Sequence, residues 1–309
     1  MRLRLPNKLI LFFLLLNFGS CFAAGSVDLF ILAGQSNMQG YTGDARFYPE
    51  ELSQEDGSIK FYYIEPKLVD HRLVPWLAEK PVSFLSRIKT NIKDFLHWAR
   101  GPEPWPPAPV LQRQWSRLGP QKGIFPKGHF GPEISFARKL RAEGFTPAIF
   151  KYTKESTSLY DDWKQPGENG LYDDFLTSLQ LAVTELTRSG YSVNIKGLIW
   201  IQGENDAIEE QSANEYQTRL LTIITDLRLK ILPHNVPIIL GADELHPHMQ
   251  RHRQVLTAQI ALAEADPCIV HSSMVGLAKA DFTHLTPQAL PEHGLRIYDS
   301  YRKVTAECK

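Results

Sequence analysis

Two short segments at opposite ends of the chain carry residues that can do chemistry together. In LFILAGQSNMQGY (Leu29–Tyr41) an apolar run stops at a knot of small polar residues around Ser36. In DFTHL, Asp281 stands three residues before His284. A serine hydroxyl is a weak nucleophile at neutral pH and needs a neighbouring base. Histidine suits that role because its ordinary pKa, about 6.5, lies close to working pH. A carboxylate on the second imidazole nitrogen fixes the tautomer and stabilises the imidazolium. Ser36, His284 and Asp281 are therefore candidates for nucleophile, base and orienting acid. Each segment also has a plainer reading, GQSN as a turn and D-x-x-H as a turn cap beside a packed histidine.

Two stretches between these ends offer groups that could stabilise an oxyanion. GHFGPEISFA puts Gly131 before Pro132 at the expected first turn of a helix, where an outward N–H favours negative charge. IWIQGENDA ends a strand in Gln202, Gly203, Glu204, Asn205 and Asp206, and a side-chain amide there can also donate to an oxyanion. Glu204 and Asp206 read at least partly as a network supporting the loop. Trp163 and Glu204 are the candidate substrate contacts, Trp163 as a ring for stacking on a sugar, although buried aromatics are more often core. ELHPHMQRHR groups Glu244, His246, His248 and His252, but their spacing suits a solvated loop entering a helix better than a metal site, so no metal is expected.

The elements that must hold these groups alternate between strand and helix. SVDLFILAG (Ser26–Gly34) is apolar throughout, as in a strand buried on both faces. EISFARKLRAEG reads as a helix and TPAIFKYT as a strand. YDDFLTSLQLAVTELTRSG sets Phe175, Leu179, Ala182, Val183 and Leu186 at helical spacing. NIKGLIWIQG, VPIILGA and CIVHS read as further strands. ANEYQTRLLTIITDLRLKI, RHRQVLTAQIALAEA and LPEHGLRIYDSYRKV read as the helices beside them. Strands separated by such helices pair in parallel through right-handed crossovers, giving a three-layer α/β/α sandwich. In open sheets of this kind, sites form at the carboxyl ends of strands, where Ser36 stands.

The 309-residue chain is 43% hydrophobic and 22% charged, an ordinary globular composition. Its 34 basic and 34 acidic residues balance, and without a long basic run a nucleic-acid partner is not expected. Residues 1–24 combine a basic start, the apolar LILFFLLLNF and a small-residue GSCFAA, the pattern of a secretory signal peptide. Its removal takes Arg2, Arg4 and Lys8 with it and shifts the net charge from 0 to about −3. The mature chain is thus expected to be secreted or periplasmic, with no stable membrane span. Cys268 and Cys308 then remain, either joined in a disulfide or both free. Residues 42–130 break the strand–helix rhythm with GPEPWPPAPV and many aromatics, and read as an insertion in a single domain spanning 25–309. Trp76, Phe84, Phe95, Trp98 and Trp115 give that insertion residues to bury.

The ordered set GQSNM, GPEISFA, WIQGEND and DFTH resembles the sialate O-acetylesterase-like family, the carbohydrate esterase branch of the SGNH hydrolases. KYTKESTSLYDDW is also similar to a family stretch, although KESTS lacks the glycine that often precedes the family's threonine. The resemblance implies a flavodoxin-like sandwich and a Ser-His-Asp acetylesterase without metal or other cofactor. It implies Ser36 as nucleophile, His284 as base and Asp281 as its orienter. The backbone amides of Ser36 and Gly131 would bind the oxyanion, with Gln202 as third donor and Asn205 as the alternative. The implied substrate is an acetylated carbohydrate. Two other readings are a non-catalytic glycan-binding protein on the same fold and an SGNH esterase acting on a non-carbohydrate ester.

Overall fold

The computed structural model describes residues 25–49, 53–66 and 112–308. The leader at 1–24 and much of the insertion, including Trp76, Phe84, Phe95 and Trp98, lie outside the described residues.

The chain opens with strand β1 (Gly25–Gly34), whose last six residues are all buried. The single turn α1 (Ser36–Gln39), a second single turn α2 (Ser53–Asp56), and strands β2 (Lys60–Ile64) and β3 (Trp115–Arg117) follow. Then come α3 (Glu133–Ala142), β4 (Pro147–Thr153), a π-turn at Leu159–Trp163, α4 (Leu171–Arg188) and β5 (Tyr191–Ile201). The chain closes with α5 (Glu210–Lys230), β6 (Ile238–Gly241), α6 (Pro247–Arg251), α7 (Gln254–Ala265), β7 (Ile269–His271) and α8 (Ala289–Glu307).

These strands form a seven-stranded sheet in the order β3-β2-β4-β1-β5-β6-β7. All pairs are parallel except β2–β3, which is antiparallel. The expected parallel sheet thus carries one antiparallel edge strand. The region read as an insertion is partly woven into the sheet, because it supplies both β2 and β3. Trp115 on β3 shows why: its indole N–H donates to Ala182 O at 2.9 Å, and its ring lies 5.3 Å from Tyr62.

The sheet is covered on both faces, so the architecture is the three-layer sandwich. One core joins α4, α5 and α7 to the sheet through residues such as Phe175, Leu179, Ile223, Leu227 and Leu262. The other joins α3 and α8 through Phe136, Leu140, Ile297, Tyr301 and Val304. Phe30 anchors that second layer edge-on to Phe136, Phe145 and Tyr301, with centroids 5.3–5.8 Å apart. Cys268, just before β7, is disulfide-bonded to Cys308, just after α8. Among the described residues, no helix is long and apolar enough to cross a membrane.

The chain fills one side of β1 with β2, β3 and β4, then crosses to the other side with β5. The carboxyl end of β1 is therefore the switch point of the sheet, where a crevice opens between divergent connections.

Candidate active site

Strand β1 ends on a backbone contact that only glycine permits. Gly34 has φ +145°, and a Cβ there would stand 2.0 Å from Ile201 O. The chain then turns sharply. Gln35 N donates to Ile201 O at 3.0 Å, and Ser36 opens α1. Gly40 (φ 83°) closes that turn in the left-handed region, its N–H on Ser36 O at 2.9 Å. Ser36 is only 3% exposed. Among the described residues its N–H donates to nothing, so it is free for a ligand oxygen.

The pair Asp281 and His284 meets as the spacing requires. His284 Nδ1 lies 2.8 Å from Asp281 Oδ2, while Asp281 Oδ1 accepts the N–H groups of Thr283 and His284, both at 2.7 Å. Partial burial works against the Asp281 carboxylate, but these bonds from His284 and Thr283 outweigh it and hold the pKa down to about 2. The carboxylate is thus ionised at working pH and keeps a proton on Nδ1. The Tyr41 ring stacks on the imidazole at 4.7 Å and 25°.

The two halves of the site are tied together by the residue after Ser36. Asn37 Nδ2 donates to Thr283 O at 3.0 Å, and its Oδ1 accepts from Leu285 N at 3.1 Å. One amide thus holds the backbone on both sides of His284. Thr42 Oγ1 adds a bond to Leu285 O.

The expected oxyanion donors fare differently. Gly131 N–H is donated to Glu133 Oε1 at 2.9 Å, so it faces a carboxylate rather than an open pocket. Gln202 is fully buried, and its amide donates to Thr157 O at 3.0 Å and Asp206 Oδ2 at 2.6 Å, using both hydrogens. Asn205 is half-buried, and among the described residues its side chain makes no hydrogen bond. Its loop touches the Ser36 turn, because Gly203 N donates to Gln35 Oε1 at 3.3 Å. Of the two amides, the alternative Asn205 is the one free to donate.

The two candidate substrate contacts are both inside the protein. Trp163 has no exposed surface, lies 4.6 Å from Trp200 between centroids, and donates its indole N–H to Thr157 Oγ1 at 3.1 Å. Its ring is a core residue and offers a sugar no face. Glu204, 2% exposed, accepts Asp243 N at 2.7 Å through Oε1. Desolvation raises its carboxyl to about 7, with Asp243 adding to the rise against the backbone N–H bonds. Asp206 is likewise desolvated up to about 7 and accepts the N–H groups of Leu159 and Tyr160. Both acids brace the loop.

Sequence reasoning assigned no role to the buried network beneath α1. Lys151 and Glu133, both fully buried, pair at 2.6 Å. Lys151 also donates to Gln39 O at 3.0 Å, and Glu133 accepts from Gln121. Burial lowers the Lys151 ammonium pKa against the pull of Glu133. The network ties α1, α3 and β4 under the Ser36 turn. The lysine in PAIFKYT was the available signal, since a charge inside a fully buried strand must be paired.

The histidine-rich stretch does not converge. His246 Nε2 meets Thr283 Oγ1 at 3.0 Å, Glu244 Oε1 meets His271 at 3.1 Å, and His252 meets Ala207 O at 2.8 Å. Among the described residues, no group of three or more His, Cys, Asp or Glu side chains could hold a metal ion.

Residues 26–303 match the family described as carbohydrate esterase, sialic acid-specific acetylesterase. The chain belongs to this family. Membership makes it an acetylesterase, and the matched span takes in Ser36, Asp281 and His284. None of the curated proteins matches the sequence. Among solved structures, an Arabidopsis thaliana protein is similar at 20% identity and TM-score 0.57, over 90% of this chain and 98% of its own. NanS is similar at 12% identity and TM-score 0.55, over 91% and 97%. A carbohydrate acetylesterase from Xanthomonas citri is similar at 17% identity and TM-score 0.54, over 90% and 57%. At these identities the likeness speaks for the fold that this acetylesterase shares with them.

A cleft of about 610 Å³ opens in the acetylesterase between the π-turn and the start of α5, lined by Tyr160, Asp161, Glu209, Glu210 and Glu215 among others. It does not contain Ser36 or His284.

Proposed function

We propose that this acetylesterase is a secreted enzyme that removes acetyl groups from carbohydrates through a Ser36–His284–Asp281 triad. The observation that carries the reading is the Asp281–His284 pair clasped by Asn37 to the Ser36 turn. His284, held through Nδ1 by Asp281, takes the Ser36 proton on Nε2 as Oγ attacks the ester carbonyl. The oxyanion rests on the Ser36 N–H, with the Asn205 amide as second donor. The sugar alcohol leaves with the proton from His284, and a water activated by the same base releases acetate. The Cys268–Cys308 disulfide and the leader pattern at 1–24 support export to an oxidising compartment.

The reading is tested by acetate release from an O-acetylated sialic acid and an acetylated xylan, for wild type and Ser36→Ala. Release abolished by the substitution is the expected result. Equal release from both proteins, or none from either, contradicts it.

A further inference from the structure

We infer that Asn37 is a positioning residue for the base, and that it sets the reach between the Ser36 hydroxyl and the His284 imidazole; this rests on the triad reading above. Asn37 is 1% exposed, and the two hydrogen bonds of its side chain run to Thr283 O and Leu285 N, 246 and 248 residues away in sequence. The carboxamide oxygen accepts from one neighbour of His284 and its NH₂ donates to the other. The clamp is sheltered from water, whereas the loop it grips is not: Phe282 is 67% exposed, and the Asp281 side chain is 47% exposed. A buried amide bonded through both its oxygen and its nitrogen is a stiff anchor for such a loop. Consecutive Cα atoms stand about 3.8 Å apart, so whatever fixes Asn37 against residues 283–285 also fixes Ser36 against His284.

Other bonds hold this loop farther from the imidazole or on one side only. Lys279 pairs with Asp243, His246 meets Thr283 Oγ1, and Thr42 Oγ1 reaches Leu285 O. Asn37 alone among these brackets His284. An asparagine in GQSN reads from sequence as turn chemistry, yet its side chain bonds to a distant loop rather than to its own turn.

The experiment combines Asn37→Ala with His284→Ala in a double-mutant cycle on p-nitrophenyl acetate and an acetylated sugar, with kcat and KM resolved. Displacing a reacting group by about 1 Å costs on the order of 10²-fold in rate. Asn37→Ala is expected to lower kcat by about that factor while KM moves less than about twofold. In the His284→Ala background the same substitution is expected to cost less than about threefold, because its effect passes through the imidazole. Asn37→Asp keeps the acceptor for Leu285 N and loses the donor to Thr283 O, and it is expected to lose kcat as well; it stands in if the alanine variant does not fold. An unchanged kcat in the folded variant, or losses that multiply in the cycle, overturns the inference. If Ser36→Ala and His284→Ala themselves retain full activity, the triad reading fails instead.

Discussion

Glu204→Gln should remove a pH dependence of stability that the buried carboxyl imposes. Glu204 is 2% exposed, and its Oε2 is buried with no hydrogen-bond partner, so the neutral acid is the form the site favours. Desolvation raises its pKa from 4.5 to about 7. A group raised in the folded state lends stability that is fully present below its unfolded pKa and is lost as pH rises through the folded one. The window therefore runs from about pH 4.5 to about pH 7. A gap of about 2.5 pH units at about 1.4 kcal/mol each gives roughly 3 kcal/mol lost by pH 8. Glutamine keeps an acceptor for Asp243 N but puts an NH₂ where Oε2 lies, a penalty that does not vary with pH. The quantity to read is thus the difference between the two proteins across pH, from urea unfolding in half-unit steps between pH 5 and 9. The variant should gain on wild type by about 2.5 kcal/mol over that range, since about 0.8 kcal/mol is already lost at pH 5. Parallel curves would refute the reasoning.

Asp281→Asn should lower kcat by about 10³–10⁴-fold, since the imidazole loses its charged orienter, and steady-state kinetics at pH 7 check it. Asn205→Ala should cost about 10²–10³-fold in kcat if its free amide serves the oxyanion; a loss confined to KM would speak against that role. Cys268→Ser should destabilise the fold by about 4 kcal/mol on the loop-entropy account for a separation of 40 residues, read by denaturant unfolding with the thiol partner also replaced. Asp56→Ala should destabilise the fold by about 2–3 kcal/mol in denaturant unfolding, because Arg138, 6% exposed, would lose both of its charge-assisted hydrogen bonds to the Asp56 carboxylate.

The alternation of strands and helices was legible because each core face repeats its own period, as Phe175, Leu179, Ala182 and Leu186 do in α4. β2 and β3 were not, since KFYYI is short and its partner WSR is polar, and only pairing in space gives them an edge. At the site, the pairing of Asp281 with His284 followed from their spacing. The engagement of two of the expected oxyanion donors was not legible, because a residue type says nothing of where its hydrogens already point: Gly131 donates to Glu133, and Gln202 to Thr157 and Asp206. The place of Trp163 was legible only as two alternatives, since an indole suits a core as well as a sugar, and the structure buries it against Trp200. The clasp of Asn37 on residues 283 and 285 joins the two ends of the chain, which no local pattern reveals.

In the proposed mechanism Ser36 carries the acyl group during turnover. Quenching the enzyme with acid during p-nitrophenyl acetate hydrolysis, and mapping its peptides by mass spectrometry, tests this most directly. One added acetyl group is expected on the peptide containing Ser36, absent from Ser36→Ala. An acetyl group on another residue, or continued turnover by Ser36→Ala, would contradict it.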